Sequence, residues 1–251
     1  MSIPEFSFAF QPIVDVTQRC VYAQEALIRG RHNESAASIL GASVGAEIYE
    51  LDQQARAGAI ALASKLQMSC DLSINFMPNA LVALPRTLEN TLDAAAACDF
   101  PIDRIILEVT EGEMIQDMGG FAAMINRCRT HGVRVAIDDF GAGHSGLNLL
   151  AEFQPDLLKL DMFLVRDIHA HGPRQAIVGG ILQTCTDLGI DVIAEGVETA
   201  LEFAWFKSHG VELFQGYFFA RPALENLPGY AVEHGGLRSS PVAALPSYSA
   251  L

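Results

Sequence analysis

Between residues 6 and 219 short apolar runs alternate with longer amphipathic stretches, and the later runs lead into side chains that an apolar interior would reject. The strand-like runs are 6–14, 21–29, 72–76, 104–109, 133–137, 157–160, 192–194 and 213–219. Helix-period segments lie between most of them, as at 46–66, 120–130, 174–188 and 200–208. Eight strands with interleaved helices are the pattern of an α/β barrel. The first two runs are joined by residues 15–20 alone, too short for the helical crossover that parallel neighbours need. They predict a hairpin, and the chain a modified TIM (β/α)8 barrel with one antiparallel strand near its N-terminus. A length of 251 residues, 50% of them hydrophobic, suits one such barrel over residues 1–236. Residues 237–251 form a Ser/Ala/Pro-rich tail without amphipathic period and are expected to be disordered.

A parallel barrel collects the C-terminal ends of its strands on one face, where barrel enzymes keep their sites. The runs deliver to that face Asn75, Glu108, the pair Asp138 and Asp139, Lys159 with Asp161, Glu195, and Gln215. Glu25 lies inside the second run, and Glu111 and Glu198 each follow a strand-end glutamate by three residues. Taken singly, each carboxylate or amide has a plain structural reading as a turn, cap or first-turn residue. Lys159 alone would be a solvated surface lysine, yet the leucines around it favour a position facing the barrel interior. Asp138 and Asp139 are the most telling pair. Two adjacent carboxylates where a buried strand surfaces are costly unless positive charge sits between them. Divalent cations are the expected tenants, and oxygen donors of this kind suit Mg²⁺, Mn²⁺ or Ca²⁺ rather than a thiolate-bound metal.

Composition narrows the partners. A formal charge of −14 excludes long nucleic acids, which need a basic footprint, but leaves room for a small phosphate ligand if cations mask the local carboxylates. The five cysteines are widely spaced without a Cys-x-x-Cys pair, which reads as reduced thiols in a cytoplasmic protein. The N-terminus lacks the basic region of a signal peptide, and no apolar run is long enough to span a membrane. Gly141, Gly143 and Gly146 spell a literal G-x-G-x-x-G, with Asp161 about 20 residues on, where a dinucleotide-binding fold places its ribose acid. Asp138 and Asp139 directly before it would repel a pyrophosphate, and several strands precede a motif that usually opens its domain. The Asp-Phe-Gly triplet at 139–141 lacks the other parts of a protein kinase.

The segment Glu25-Ala26-Leu27 with Arg29 resembles the signature of EAL-domain cyclic di-GMP phosphodiesterases. The resemblance extends in order from about Phe6 to Pro222. It takes in Phe10-Gln11-Pro12, Asn75, Glu108-Val-Thr-Glu111, Asp138-Asp139-Phe-Gly-Ala-Gly and Pro155 to Asp161. Glu195-Gly-Val-Glu198 and Gln215-Gly-Tyr-Phe-Phe-Ala-Arg-Pro222 complete it. It implies hydrolysis of cyclic di-GMP to linear pGpG at a two-metal site using Mg²⁺ or Mn²⁺, with Ca²⁺ inhibitory. Carried over, Glu25, Asn75, Glu108 and Asp138 hold one ion, and Asp138, Asp139 and Glu195 the other. Lys159 touches the attacking water, and Gln215 positions water or phosphate. Gln11, Leu27, Arg29 and Asp161 line the substrate groove, with Arg29 near a phosphate. Glu111 anchors the loop after Asp139, which the family uses for dimerisation and control. Ala142 and His144 depart from the Thr and Tyr common there, which bears on regulation rather than metal binding. A homodimer and a sensor or regulatory partner are also implied. The rival reading is a catalytically silent cyclic di-GMP receptor, against which the full ligand set stands.

Overall fold

A computed structural model describes residues 5–41, 47–110, 115–143, 146–232 and 237–238. The strands are β1 (Phe6–Asp15), β2 (Cys20–Gly30), β3 (Asp71–Asn75), β4 (Ile105–Thr110), β5 (Arg134–Phe140), β6 (Leu157–Leu160), β7 (Asp191–Ala194), β8 (Leu213–Phe214) and β9 (Ala223–Leu224). The helices are α1 (Ala36–Leu40), α2 (Glu47–Lys65), α3 (Ala80–Ala83), α4 (Thr87–Ala97), α5 (Met118–Thr130), α6 (Gly146–Glu152), α7 (Met162–Val165), α8 (Gly172–Leu188) and α9 (Ala200–Ser208).

Strands β2 to β8 pair in sequence and in parallel, and β1 closes the ring by pairing antiparallel with both β2 and β8. The hairpin expected from the short link at 15–20 is therefore present, and the barrel is a modified TIM barrel. Strand β9 bonds to β1 at Ala9 and Phe10, on the same edge as β8 but farther along. The run 213–219 leaves the ladder after Phe214, and Gly216, at φ +153°, follows two residues on. Residues 215–222 make an excursion before β9 resumes the edge. Pro12, which has no N–H to give a ladder, falls where β1 has neither β8 nor β9 beside it. Ala231–Val232 pair with Leu237–Arg238; the rest of the expected tail, 239–251, lies outside the described residues.

Helix ends follow ordinary chemistry. Thr199 and Glu202 form a reciprocal capping box on α9, and Asp117 caps α5. Gly189, at φ +69°, ends α8. The larger core fills the space between sheet and helices. A second cluster, Ile13, Ala23, Ile106, Ala136, Leu157, Ile193 and Leu213, is the filling of the barrel itself. All seven point inward, and this layer is the platform on which the site rests.

Candidate metal centre

Side chains along a strand repeat faces every second residue. Two residues beyond the apolar layer, toward the C-terminal ends, stand Glu25, Glu108, Asp138, Lys159, Glu195 and Gln215. Gln11 stands two residues before Ile13, because β1 runs the opposite way. The site is thus the next storey of the barrel interior, one side chain from nearly every strand.

Lys159 is at its centre and only 1% exposed. Its Nζ lies 2.7 Å from Glu195 Oε1, 2.9 Å from Glu108 Oε1, 2.9 Å from Asp138 Oδ1 and 3.6 Å from Glu25 Oε2. The leucine-flanked lysine does face inward. These carboxylates hold its pKa well above the ordinary value, against a burial that works the other way. Glu108 is pushed up to about 8, first by burial, with Glu25 and Asp138 adding and Lys159 opposing. Glu195 is raised well above its ordinary value, again first by burial. Ser73 donates to Glu108 Oε1 at 2.6 Å, and Gln215 Nε2 donates to Glu25 Oε2 at 2.5 Å. Ser73 has no place among the sequence candidates, although it lies two residues before Asn75 on the same inward face.

Asp138 and Asp139 would point to opposite faces of a regular strand, yet the carboxylates of both approach Glu195. The register explains it. Ile137 pairs with Leu158 and Phe140 with Leu160, so β5 carries one extra residue, a bulge. Asp139 sits in it at φ +55°. The bulge brings carboxylate oxygens of Asp138, Asp139 and Glu195 within 4.8 Å of one another. Asp139 is pushed up to about 6, first by partial desolvation and then by Asp138.

These donors fit divalent cations. Five carboxylates (Glu25, Glu108, Asp138, Asp139, Glu195) face one ammonium. Glu108 Oε2 and Gln215 Oε1 are buried without a hydrogen-bond partner among the described residues. A buried oxygen left unpaired beside surplus negative charge is what a hard cation satisfies.

Above this storey opens a cleft of about 380 Å³ lined by Gln11, Glu25, Leu27, Asp139, Asp161, Glu195 and Gln215, among others. Tyr217 and Met162 also line it and were not anticipated. Leu27 is shared with an adjoining cavity of about 320 Å³ that holds Arg29 and Asn75. Asn75 pairs in register with Glu108 and is exposed. The Arg29 guanidinium bonds the Ile28 carbonyl at 2.8 Å, so it stands beside the cleft rather than in it. Glu111 and His144 lie outside the described residues.

Fold and site together define a barrel protein with an acidic, lysine-centred site for divalent cations. Residues 1–222 match the EAL domain family, and the chain belongs to it. Among curated relatives, the blue light- and temperature-regulated antirepressor BluF of Escherichia coli is 40% identical over 225 residues, 89% of this chain and 56% of BluF. The probable cyclic di-GMP phosphodiesterase PdeN of the same organism is 28% identical over 87% of this chain and 43% of its own length. The chain thus spans about half the length of these relatives. Among solved structures, a standalone EAL protein from Vibrio cholerae in its c-di-GMP-bound form is 45% identical, with TM-score 0.87 over 92% of this chain and 98% of that one. The manganese and cyclic di-GMP complex of Klebsiella pneumoniae BlrP1 is 41% identical, with TM-score 0.83 over 90% of this chain and 58% of that one.

Proposed function

We propose that this chain is a phosphodiesterase that hydrolyses cyclic di-GMP to linear pGpG, with Mg²⁺ or Mn²⁺ as cofactor and Ca²⁺ as an inhibitor. One observation carries the reading: Lys159 lies buried among four carboxylates, beside the Asp138, Asp139 and Glu195 cluster, at the base of the cleft. Glu25, Asn75, Glu108 and Asp138 would hold one ion, and Asp138, Asp139 and Glu195 the second. When bound, two such ions neutralise the phosphodiester, acidify a water and stabilise the leaving oxygen.

The chain's own residues do the rest. Lys159 Nζ, kept charged by its neighbours, orients the attacking water and meets the charge that develops on phosphorus-bound oxygen. Gln215 is fixed through Nε2 on Glu25, which leaves Oε1 to accept from water. Gln11, Leu27 and Asp161 line the groove for the dinucleotide, and Arg29 swings from the Ile28 carbonyl to a phosphate. Water attacks phosphorus, the 3′ oxygen leaves and takes a proton, and one phosphodiester remains in pGpG. The setting we propose is cytoplasmic, in keeping with five free cysteines. Among the described residues no helix is long and apolar enough to cross a membrane. A homodimer and a regulatory partner belong to the same proposal, supported by the family resemblance, with Glu111 as the loop anchor.

A second reading has its own support, since BluF is named an antirepressor. In that reading the barrel binds cyclic di-GMP without cleaving it and signals through a partner. The discriminating experiment incubates purified protein with cyclic di-GMP and Mg²⁺ or Mn²⁺, with and without chelator, and follows pGpG by chromatography. Metal-dependent pGpG is expected. Intact dinucleotide bound but not cleaved would favour the receptor.

A further inference from the structure

Glu202 is only 2% exposed, although it stands in the first turn of α9 and outside the cleft. Its carboxylate is fully engaged by backbone. Oε2 accepts from the N–H groups of Glu198, at 3.0 Å, and Thr199, at 2.9 Å. Oε1 accepts from the N–H of Asp167, at 2.9 Å. A capping box needs only the reciprocal pair of Thr199 and Glu202, whose other half is Glu202 N–H to Thr199 Oγ1 at 3.2 Å. The bond to Asp167 lies outside that motif. It ties the loop after β7 to the connection between α7 and α8.

The loop held this way begins with Glu195. Its next two residues also have close backbone neighbours. Gly196, at φ +64°, lies so close to Met162 that a Cβ there would be 2.5 Å from the Met162 Cβ. Val197 N–H donates to Gln215 O, and Val197 O accepts from Phe218 N–H, both at 3.0 Å. Asp167, the far anchor, is itself at φ +54° and follows the α7 turn that Asp161 caps.

We infer that Glu202 is a positioning residue that sets the place of Glu195 and, through Asp167, locks it to the Asp161 side of the cleft. The inference rests on the two-cation reading of the site. It concerns one ion more than the other, because Glu195 groups with Asp138 and Asp139, whereas Glu25, Asn75 and Glu108 hang on other strands.

The test is Mn²⁺ titration of the whole chain by calorimetry, comparing wild type, Glu202→Gln and Thr199→Ala. Glutamine keeps the size but turns an NH₂ toward backbone donors on one side. Alanine at 199 removes only the hydroxyl half of the cap. In Glu202→Gln one of two Mn²⁺ sites should weaken about 10- to 100-fold, the usual range for losing a supporting partner, with the other unchanged. Thr199→Ala should bind both ions as wild type does. Equal weakening of both sites in Glu202→Gln, or wild-type binding in a merely less stable protein, overturns the inference. If Glu202→Gln does not fold, amide exchange in the wild type decides. Mn²⁺ should slow exchange at Asp167 together with Glu198 and Thr199, and an Asp167 amide indifferent to Mn²⁺ defeats the idea. Wild type that binds no Mn²⁺ at all rejects the two-cation reading itself, a different failure.

Discussion

A lysine with its ammonium in a barrel interior is expensive, and only a surround of carboxylates holds it there charged. Lys159 has such a surround in Glu25, Glu108, Asp138 and Glu195. The reciprocal cost falls on Glu108, buried and pushed up to about 8. Lys159→Met keeps the length and removes the charge. It should leave Mn²⁺ stoichiometry intact and lower kcat about 10²- to 10³-fold, the range for losing one charge-stabilising donor. Steady-state kinetics beside metal titration checks this, and activity within tenfold of wild type removes Lys159 from the chemistry. The residue types here were readable in the sequence because buried strands rarely end in so many carboxylates. Glu202 was not, since nothing in Glu-Phe-Ala-Trp distinguishes a bridging carboxylate from an ordinary first-turn glutamate.

At the scale of elements, the ends of β5 and β8 decide the site's shape. The bulge at Asp138 and Asp139 and the excursion after Phe214 both depart from regular strand, and both carry side chains that line the cleft or its base. The excursion is held by close backbone contact. A Cβ on Gly216 would lie 2.1 Å from Val197 O and 2.4 Å from Val197 N, and backbone atoms cannot yield as a side-chain end can. Gly216→Ala should therefore displace Gln215, lowering kcat/KM at least tenfold and the Tm by several degrees. Gly179→Ala is the counterpart. It lies inside α8 with nothing within 4 Å of its Cβ position, and should stabilise by about 0.5–1 kcal/mol without touching activity. Calorimetric melting and kinetics of the two variants separate the effects. Short apolar runs located both strands, but the last run extends to 219. An apolar run reports burial and is blind to where the ladder stops.

Over the whole molecule, the barrel is closed by strands drawn from residues 6 to 214, and the carboxylates of the site come from several of them. This makes stability depend on pH in a definite direction. Glu108 has a folded pKa of about 8 against an ordinary 4.5, so it favours the metal-free fold fully below about pH 4.5. That contribution is lost as pH rises through 8. Asp139, at about 6, acts the same way over a lower window, less strongly because it is exposed. Cations replace those protons, so their stabilisation should grow with pH. The difference in Tm between Mn²⁺-loaded and chelator-treated protein should be clearly larger at pH 8.5 than at pH 6, and a gap independent of pH would contradict the burial of these carboxylates. The sequence by itself determined the barrel, its antiparallel first strand and most of the inward carboxylates, because apolar period, link length and charge at strand ends are local properties. Only the tertiary structure decided that Asp139 turns to the same side as Asp138, that Arg29 stands beside the cleft, that Ser73 bonds Glu108, and that Glu202 bonds the amides of Asp167, Glu198 and Thr199. Those depend on register and closure, which arise when distant strands meet.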